Sequence, residues 1–391
     1  MNPWRGLEGL PREIWLLSGA TLLNRMGTMA LPFLVLYLSE GRGFTVARAG
    51  SALMVWGAGA AVAGPLGGRL ADRLGHVFVM RTALLLSGLL LLLFPLARTW
   101  PQVVVMTGAW SLAGEAFRPA SMAILTDLAP PDRRKAVYSL NRLVNNLGMS
   151  LGPALGGFLA TRSYTAIFEV DGVTSILAGF ALFSLRPPSR HAEAAPHGGV
   201  GGALRDARFL FFLASSLPVL LVAFQIMGAM PVHLVRNLGF SPAFYGSVFT
   251  LATLMVVFLE IRINLATAHW PHRRTLALGA LLYSLGYGAM AFARTHGAIL
   301  ATVAVWTAGE MVIFPAMSDY VAHLAPAARR GEYMGLYTMT FSLAFCAAPG
   351  LGLRLLPAMG ALPFWLAAGT TGLVSAALLA RVRMRPPMEA A

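Results

Sequence analysis

The chain has 391 residues, of which 57% are hydrophobic and only 12% are charged, whereas soluble domains average about 25% charged residues. This composition excludes a soluble globular protein, and about twelve membrane crossings of roughly 20 residues each would leave no room for a large outer domain. The formal net charge of +14 would indicate nucleic-acid binding in a soluble protein. In a membrane protein we instead expect the excess Lys and Arg in cytoplasmic loops.

Apolar runs separated by polar breaks predict an all-α membrane protein with twelve transmembrane helices. The first run is too long for the hydrophobic region of a signal peptide, so we expect it to remain as the first helix. The predicted segments, numbered 1 to 12, cover residues 14–38, 46–66, 77–97, 101–123, 137–161, 165–185, 208–235, 243–265, 273–293, 297–320, 332–356 and 362–382.

A polar stretch near the middle of the chain separates segment 6 from segment 7. It contains Pro187-Pro188 and two glycine pairs, a composition typical of a flexible linker. We therefore predict one six-helix bundle over 1–185, a cytoplasmic linker over 186–207 and a second six-helix bundle over 208–391. Most loop Lys and Arg residues fall on the linker's side of the membrane, which predicts that both termini are cytoplasmic.

The two predicted bundles carry related residues at one spacing of 196 positions (349 minus 153 for the prolines). The related pairs are Trp110 with Trp306, Pro119 with Pro315, Arg133-Arg134 with Arg329-Arg330, Pro153 with Pro349, and Gly156 with Gly352. One register across three successive elements indicates an internal duplication. Two such halves, related about an axis along the membrane normal, are typical of transporters that rock one half against the other. This motion opens a central site to each side of the membrane in turn.

The loop between segments 2 and 3 reads Gly67-Gly68-Arg69-Leu70-Ala71-Asp72-Arg73-Leu74-Gly75-His76. It resembles the signature loop of the major facilitator superfamily, which Gly68, Asp72, Arg73 and Gly75 match, although His76 and Val77 replace the usual basic pair. The resemblance implies the major facilitator fold, with this aspartate as a conformational lock that holds the two halves together on the inner side. We expect Asp127, at a cytoplasmic helix end, to act as a cap or a second lock.

Segment 5 contains a stripe of small and helix-bending residues, Gly148, Gly152, Pro153, Gly156 and Gly157. Small residues spaced by four let another helix pack closely, and the proline opens the hydrogen-bond ladder one turn earlier. The stripe resembles a motif associated with antiporters of this superfamily. The region from Phe117 to Arg134 is similar to bacterial drug:proton antiporters, but their usual arginine early in helix 4 is absent.

Ionisable residues inside the membrane are costly and therefore mark functional sites. Five were singled out: Arg25, Glu115, Arg118, Arg142 and Glu310. Glu115 and Arg118 lie three residues apart and have the alternative of a structural ion pair. Glu310 has no basic residue within one turn of its own helix. We therefore predict that Glu310, with Glu115, carries the coupling protons.

The resemblance implies that helices 1, 4, 7 and 10 line a central cavity. The predicted substrate-binding residues are Asn24, Arg25, Tyr37, Arg118, Arg142, Asn146, Gln225 and Trp306. For the aromatic residues the alternative is ordinary packing, and for Arg142 it is a purely structural contact with helix carbonyls. Three buried arginines against two buried acids favour an anionic substrate over a cationic one.

These observations predict a secondary active transporter of the bacterial inner membrane: a proton-coupled exporter of small amphiphilic molecules or drugs. The alternative is a symporter or facilitator for a defined solute such as a peptide, sugar or lysolipid. An enzyme is not predicted, because nucleophile, base and metal constellations are absent and His269-x-x-His272 lacks a third ligand. The sequence contains no phosphate-binding loop motif, so we do not expect ATP hydrolysis by this chain to drive transport. We expect no cofactor, metal or nucleic-acid partner, and a monomer that contacts substrate, protons and lipids.

Overall fold

The computed structural model describes residues 9–130, 133–185, 202–326 and 329–382, and within these ranges the regular structure is helical. Most of the predicted linker, up to residue 201, lies outside the described residues. The α-helices are α1 (Arg12–Gly27), α2 (Ala30–Leu36), α3 (Val46–Leu74), α4 (His76–Leu93), α5 (Trp100–Glu115), α6 (Phe117–Leu128), α7 (Arg134–Ala160), α8 (Tyr164–Ala181), α9 (Ala207–Ala223), α10 (Ala229–Pro231), α11 (Pro242–Thr267), α12 (His272–Ala289), α13 (His296–Leu324), α14 (Arg330–Met359) and α15 (Ala361–Leu379).

All twelve predicted segments lie on helices, but three of them are divided. Segment 1 comprises α1 and α2, segment 4 comprises α5 and α6, and segment 7 comprises α9 and α10. Nine helical stretches in the described part of the chain are long and apolar enough to cross a membrane. Segment 4 is not among them because its break at Ala116 leaves two pieces of 16 and 12 residues, each shorter than a spanning helix.

Side-chain caps explain where several helices begin. The hydroxyl of Thr45 accepts a hydrogen bond from the Arg48 amide at 3.3 Å, and Thr295 accepts one from Ala298 at 3.2 Å. Thr99 starts α5 with a capping box to Gln102. Such caps satisfy amides that have no partner within the helix.

The described residues fall into two compact units: 9–185 with Leu234–Thr253, and 202–233 with 254–382. In the first unit α1 packs against α7 and α8, and α4 packs against α5 and α8. In the second unit α9 packs against α14 and α15, and α12 packs against α13 and α15. This repeated order of neighbours agrees with the duplication read from the sequence. The predicted bundle boundaries at 185 and 208 stay a prediction.

Large apolar side chains are exposed along several helices. Examples are Phe78 on α4, Phe180 on α8 and Phe258 on α11, which expose 53%, 58% and 69% of their surface. Such an apolar exterior would favour aggregation of a soluble protein. On membrane helices, such an exterior is suited to contact with lipid chains.

Candidate functional site

The first candidate site is the break between α1 and α2. The helix α1 ends at Gly27. The Met29 amide bonds to the Gly27 oxygen at 2.6 Å and not to a carbonyl one helical turn earlier, and the Ala30 amide lies at the start of a new helix, where amides lack helical partners. The carboxylate of Asp171 on α8 accepts hydrogen bonds from both amides, at 3.2 and 3.0 Å. Asp171 is 3% exposed and is also hydrogen-bonded to Ser175. A carboxylate from a neighbouring helix therefore caps the start of α2.

Arg25 lies directly before this break and is half-buried. Its Nε donates to the Asn145 side-chain oxygen on α7 at 3.0 Å. Asp171 and Glu115 attract its charge, and Arg118 repels it. Near the broken turn, Arg25 therefore interacts with two carboxylates and a second guanidinium.

The glycine stripe of α7 packs against the same broken turn. A methyl group added at Gly152 would lie 2.9 Å from the Thr28 backbone oxygen and 3.0 Å from that of Arg25. One at Gly156 would lie 2.7 Å from the Met29 side chain, and one at Gly148 would overlap Arg25. Gly157 instead faces the start of α11, where the Pro242 oxygen would lie 2.8 Å from an added methyl. Pro153 lies buried within the stripe.

We expect Gly152→Ala to lower the stability of the protein by about 1–3 kcal/mol, the usual cost of overpacking. The new methyl would meet backbone oxygens of Thr28 and Arg25, which cannot move like a flexible side chain. Gly64→Ala on α3 is the matched control, because nothing lies within 4 Å of a methyl there. The measurement is the melting temperature of both purified variants in detergent, and equal melting temperatures would contradict the close packing.

A related break interrupts segment 7 in the second unit. The α-helix ends at Ala223, and Gln225 lies in the short 3₁₀ turn that follows it. The Gln225 side chain donates to the Ala348 carbonyl at 2.8 Å and accepts from the Ala229 amide at 3.4 Å. A methyl added at Gly228 would lie 2.8 Å from Pro349 on α14. This break is therefore held by an amide from its own segment.

The two breaks share a short sequence. Met26-Gly27-Thr28-Met29 in the first unit corresponds to Met227-Gly228-Ala229-Met230 in the second. Gly156 on α7 packs beside the first break, and Gly352 and Pro349 on α14 pack beside the second. Gly156 and Gly352 are one of the pairs in the 196-residue repeat described above. Each of the two broken segments then ends in a π-helical turn, Tyr37–Gly41 and Val232–Asn237. The duplication therefore extends to the irregular parts of the helices.

Glu310 lies near the middle of α13 in the second unit. It forms a hydrogen bond with the Tyr283 hydroxyl of α12 and interacts electrostatically with Glu260 of α11. Glu260 is 7% exposed. Two carboxyl groups thus lie near each other inside the apolar part of one unit, and placing a negative charge on both is unfavourable because like charges repel strongly away from water.

The structure does not bring all the predicted substrate-binding residues together. Tyr37 is buried against Phe168, with ring centroids 4.4 Å apart, and Trp306 is buried against Tyr287 at 5.6 Å. Both therefore pack within helix bundles. Arg118 and Arg142 are exposed, Asn24, Glu115 and Asn146 are half-buried, and Gln225 serves the break of segment 7. Asn24 donates to Ser175 at 3.1 Å.

The loop predicted to lock the halves forms a one-residue turn between α3 and α4. Gly75 adopts a positive φ of 93°, which favours glycine, and its amide bonds to the Ala71 oxygen at 2.9 Å. The Asp72 carboxylate lies 3.8 Å from His76, and the Asp72 side chain is 53% exposed.

The close helix contact next to this loop falls at Gly67, where an added methyl would lie 2.9 Å from Ala116. Gly68 has open space beside it. Arg73 is exposed, and Asp127 is half-buried near the end of α6.

Asp171, Ser175 and Glu260 were not among the residues singled out from the sequence. The rule that selected Glu310 applies equally to Asp171 in segment 6 and Glu260 in segment 8, because both are ionisable residues within apolar runs. That signal was present in the sequence. The partners of these residues could come only from tertiary structure, since each interacts with a different helix.

Comparison with known proteins adds to this geometry. The family model of the Major Facilitator Superfamily matches residues 17–228 and 207–391. The chain belongs to this superfamily. Multidrug resistance protein MdtH of Aeromonas salmonicida is 25% identical over 95% of this chain and 96% of its own length. A Na(+), Li(+), K(+)/H(+) antiporter of Planococcus maritimus is 23% identical, with 85% of this chain and 87% of the relative covered.

A solved structure of a POT family transporter in complex with a thioalcohol conjugated peptide has the same fold. Its TM-score is 0.80, with 15% identity and coverage of 96% of this chain and 97% of that chain. The major facilitator fold expected from the sequence is therefore confirmed, as is the expectation that the protein is a transporter and not an enzyme. The protein is a multi-pass membrane transporter.

Proposed function

We propose that this transporter is a proton-coupled exporter of small amphiphilic molecules that works by alternating access in the bacterial inner membrane. The observation that carries the proposal is the carboxyl group of Glu310, which is hydrogen-bonded to Tyr283 and close to Glu260 inside an apolar bundle. A proton shared by two such carboxyl groups relieves their repulsion. Release of that proton toward one side of the membrane and uptake from the other would couple transport to the proton gradient.

The relatives support this direction of transport by their names, since one is a multidrug resistance protein and another is a cation/proton antiporter. We propose that Glu115 assists in proton coupling and that Arg25 and Asn24 contact the substrate. Protons, lipids and one small-molecule substrate are then the partners, and the working unit is a monomer with both termini in the cytoplasm.

A second candidate is a symporter or facilitator for an anionic solute. Arg25 favours it, because Asn145 holds the guanidinium in place beside the broken turn of α1, and a fixed arginine suits a carboxylate or phosphate group. The candidates differ in direction: export takes substrate out as protons enter, whereas symport moves both the same way.

The test uses the purified protein reconstituted in vesicles with an imposed pH gradient. Fluorescent amphiphilic cations and small anionic peptides are assayed separately for movement against their gradients. Export coupled to proton entry requires accumulation on the side with the higher proton concentration, and abolition of that accumulation by a protonophore. Substrate movement that does not depend on the imposed pH gradient would contradict proton coupling and favour a facilitator.

We also propose that Asp72 sets the balance between the inward-open and outward-open states. Asp72→Asn is then expected to slow transport severalfold while leaving the substrate dissociation constant within about twofold, since the residue lies exposed in the last turn of α3 and not in the proposed substrate site. Binding is followed by a thermal-shift titration and transport by the vesicle assay. Loss of binding together with an unchanged balance of states would contradict the lock.

A further inference from the structure

A cluster of metal-binding side chains lies at one end of the second unit, away from Glu310. His272 begins α12, and Asp319 and His323 lie on the last turns of α13. One ligand atom from each of the three residues lies within 4.8 Å of the other two. The sequence suggested only the pair His269 and His272. Folding instead brings His272 to residues of the neighbouring helix.

We propose that His272, Asp319 and His323 bind a divalent transition-metal ion of the Zn²⁺ class. Two imidazoles and one carboxylate form a donor set that Zn²⁺ uses in sites with three protein ligands and an open position for water. Asp319 and His323 are four residues apart, so they lie on one face of α13. His272 completes the set from α12, and a bound ion would therefore link two helices of the same unit.

The distances between the donor atoms suit such an ion. The Nε2 atom of His272 lies 2.8 Å from one Asp319 carboxylate oxygen, and the Nδ1 atom of His323 lies 3.2 Å from the other. Donor atoms about 2.1 Å from a tetrahedral Zn²⁺ are about 3.4 Å apart. All three donor atoms lie within 4.8 Å of one another, so side-chain shifts of up to about 1.4 Å (4.8 minus 3.4) would bring them to the separations of a coordination shell.

The surroundings orient the ligands and leave the site accessible. The Tyr320 ring packs edge-on against His272 with centroids 5.8 Å apart, and the side chains of Asp319 and His323 are 56% and 58% exposed. Water can therefore enter and fill the remaining coordination positions. With its proton on Nδ1, His323 donates a hydrogen bond to the Asp319 backbone oxygen at 2.9 Å. Metal binding at Nδ1 would replace this hydrogen bond and require the tautomer that carries its proton on Nε2.

The neighbouring charges limit the affinity. Arg273 and Arg274 follow His272 and are exposed, and their positive charges oppose a second cation nearby. The single charge of Asp319 offsets only part of that repulsion. We therefore expect binding in the micromolar range and not the much tighter binding of a structural zinc site.

The experiment measures Zn²⁺ binding to the full-length protein, purified in detergent and treated with a chelator, by isothermal titration calorimetry. We expect one ion per chain, at least tenfold weaker binding in His272→Ala and His323→Ala, and unchanged binding in His269→Ala. His269 is a matched control because it is an exposed histidine only three residues from His272. Absence of binding by the unmodified protein, or equal affinity in all four proteins, would overturn the proposal.

Thermal unfolding separates loss of the ligand from loss of the fold. Zn²⁺ should raise the melting temperature of the unmodified protein and of His269→Ala, because an ion that binds only the folded state stabilises it. The metal-free melting temperatures of all variants should agree within a few degrees. If an alanine variant unfolds, His323→Gln replaces it, and a Zn²⁺ shift in that variant as large as in the unmodified protein would also overturn the proposal.

Discussion

Glu310→Gln is expected to abolish uphill transport driven by a pH gradient, with at least a tenfold loss of substrate accumulation in vesicles. The glutamine side chain keeps an oxygen that can accept the hydrogen bond from Tyr283, but it cannot release or take up a proton at neutral pH. Exchange of labelled for unlabelled substrate needs no net proton movement. Counterflow should therefore continue at close to the rate of the unmodified protein.

The controls for this prediction separate coupling from folding. Glu40→Gln makes the same chemical change at an exposed glutamate and should leave gradient-driven accumulation intact. Glu260→Gln should weaken coupling, since Glu260 interacts with Glu310, and Glu115→Gln tests the second predicted carrier. Full accumulation in Glu310→Gln, Glu115→Gln and the double variant would eliminate both predicted carriers.

Asp171→Ala is expected to lower the stability of the folded protein. The carboxylate of Asp171 accepts hydrogen bonds from the amides of Met29 and Ala30 at the start of α2. The Met29 amide also bonds to the Gly27 oxygen at 2.6 Å, so the substitution leaves the Ala30 amide unpaired, at a cost of about 1–3 kcal/mol. Arg25 would also lose an attractive charge. The expected results are a clearly lower melting temperature and faster amide hydrogen exchange, with the larger change at Ala30.

Comparison of two substitutions shows which property of Asp171 matters. Asparagine retains an acceptor oxygen but removes the charge, so Asp171→Asn should recover much of the stability if capping dominates. Glu169→Ala is the matched control, because Glu169 is exposed on the same helix, two residues away. Equal melting temperatures for Asp171→Ala and Glu169→Ala would show that the cap contributes little.

The hydropathy of the chain predicts the positions of the transmembrane segments well, because the bilayer fixes the length of apolar sequence that a helix needs. It does not predict the breaks. Gly27 and Met29 fit an apolar run as well as their neighbours do. A hydropathy average over about 20 residues therefore does not reveal the interruption at the end of α1. Comparison of Met26-Gly27-x-Met29 with Met227-Gly228-x-Met230 could have indicated a shared irregular feature, but not its geometry.

The candidate sites were predicted less completely than the fold. Glu310 and Arg25 were recognisable because charge inside the membrane is costly, whereas the partners Tyr283 and Asn145 are uncharged and lie on other helices. His272 and His323 are 51 residues apart in sequence (323 minus 272). No local metal-binding motif has so long a spacing. The sequence alone therefore does not show that the two histidines lie close to Asp319, which they do because α12 packs against α13.

The broken turns also determine how the first and seventh segments can move. A continuous helix bends only by weakening its ladder of hydrogen bonds. A segment already interrupted at Gly27 or Gly228 has a pivot there, about which the part of the segment after the break can tilt. The two pivots differ in the kind of side chain that restrains them. An ionisable group on a separate helix, Asp171, restrains one, and a non-ionisable group of the same segment, Gln225, restrains the other. A change in local charge would therefore loosen the first pivot and leave the second unchanged.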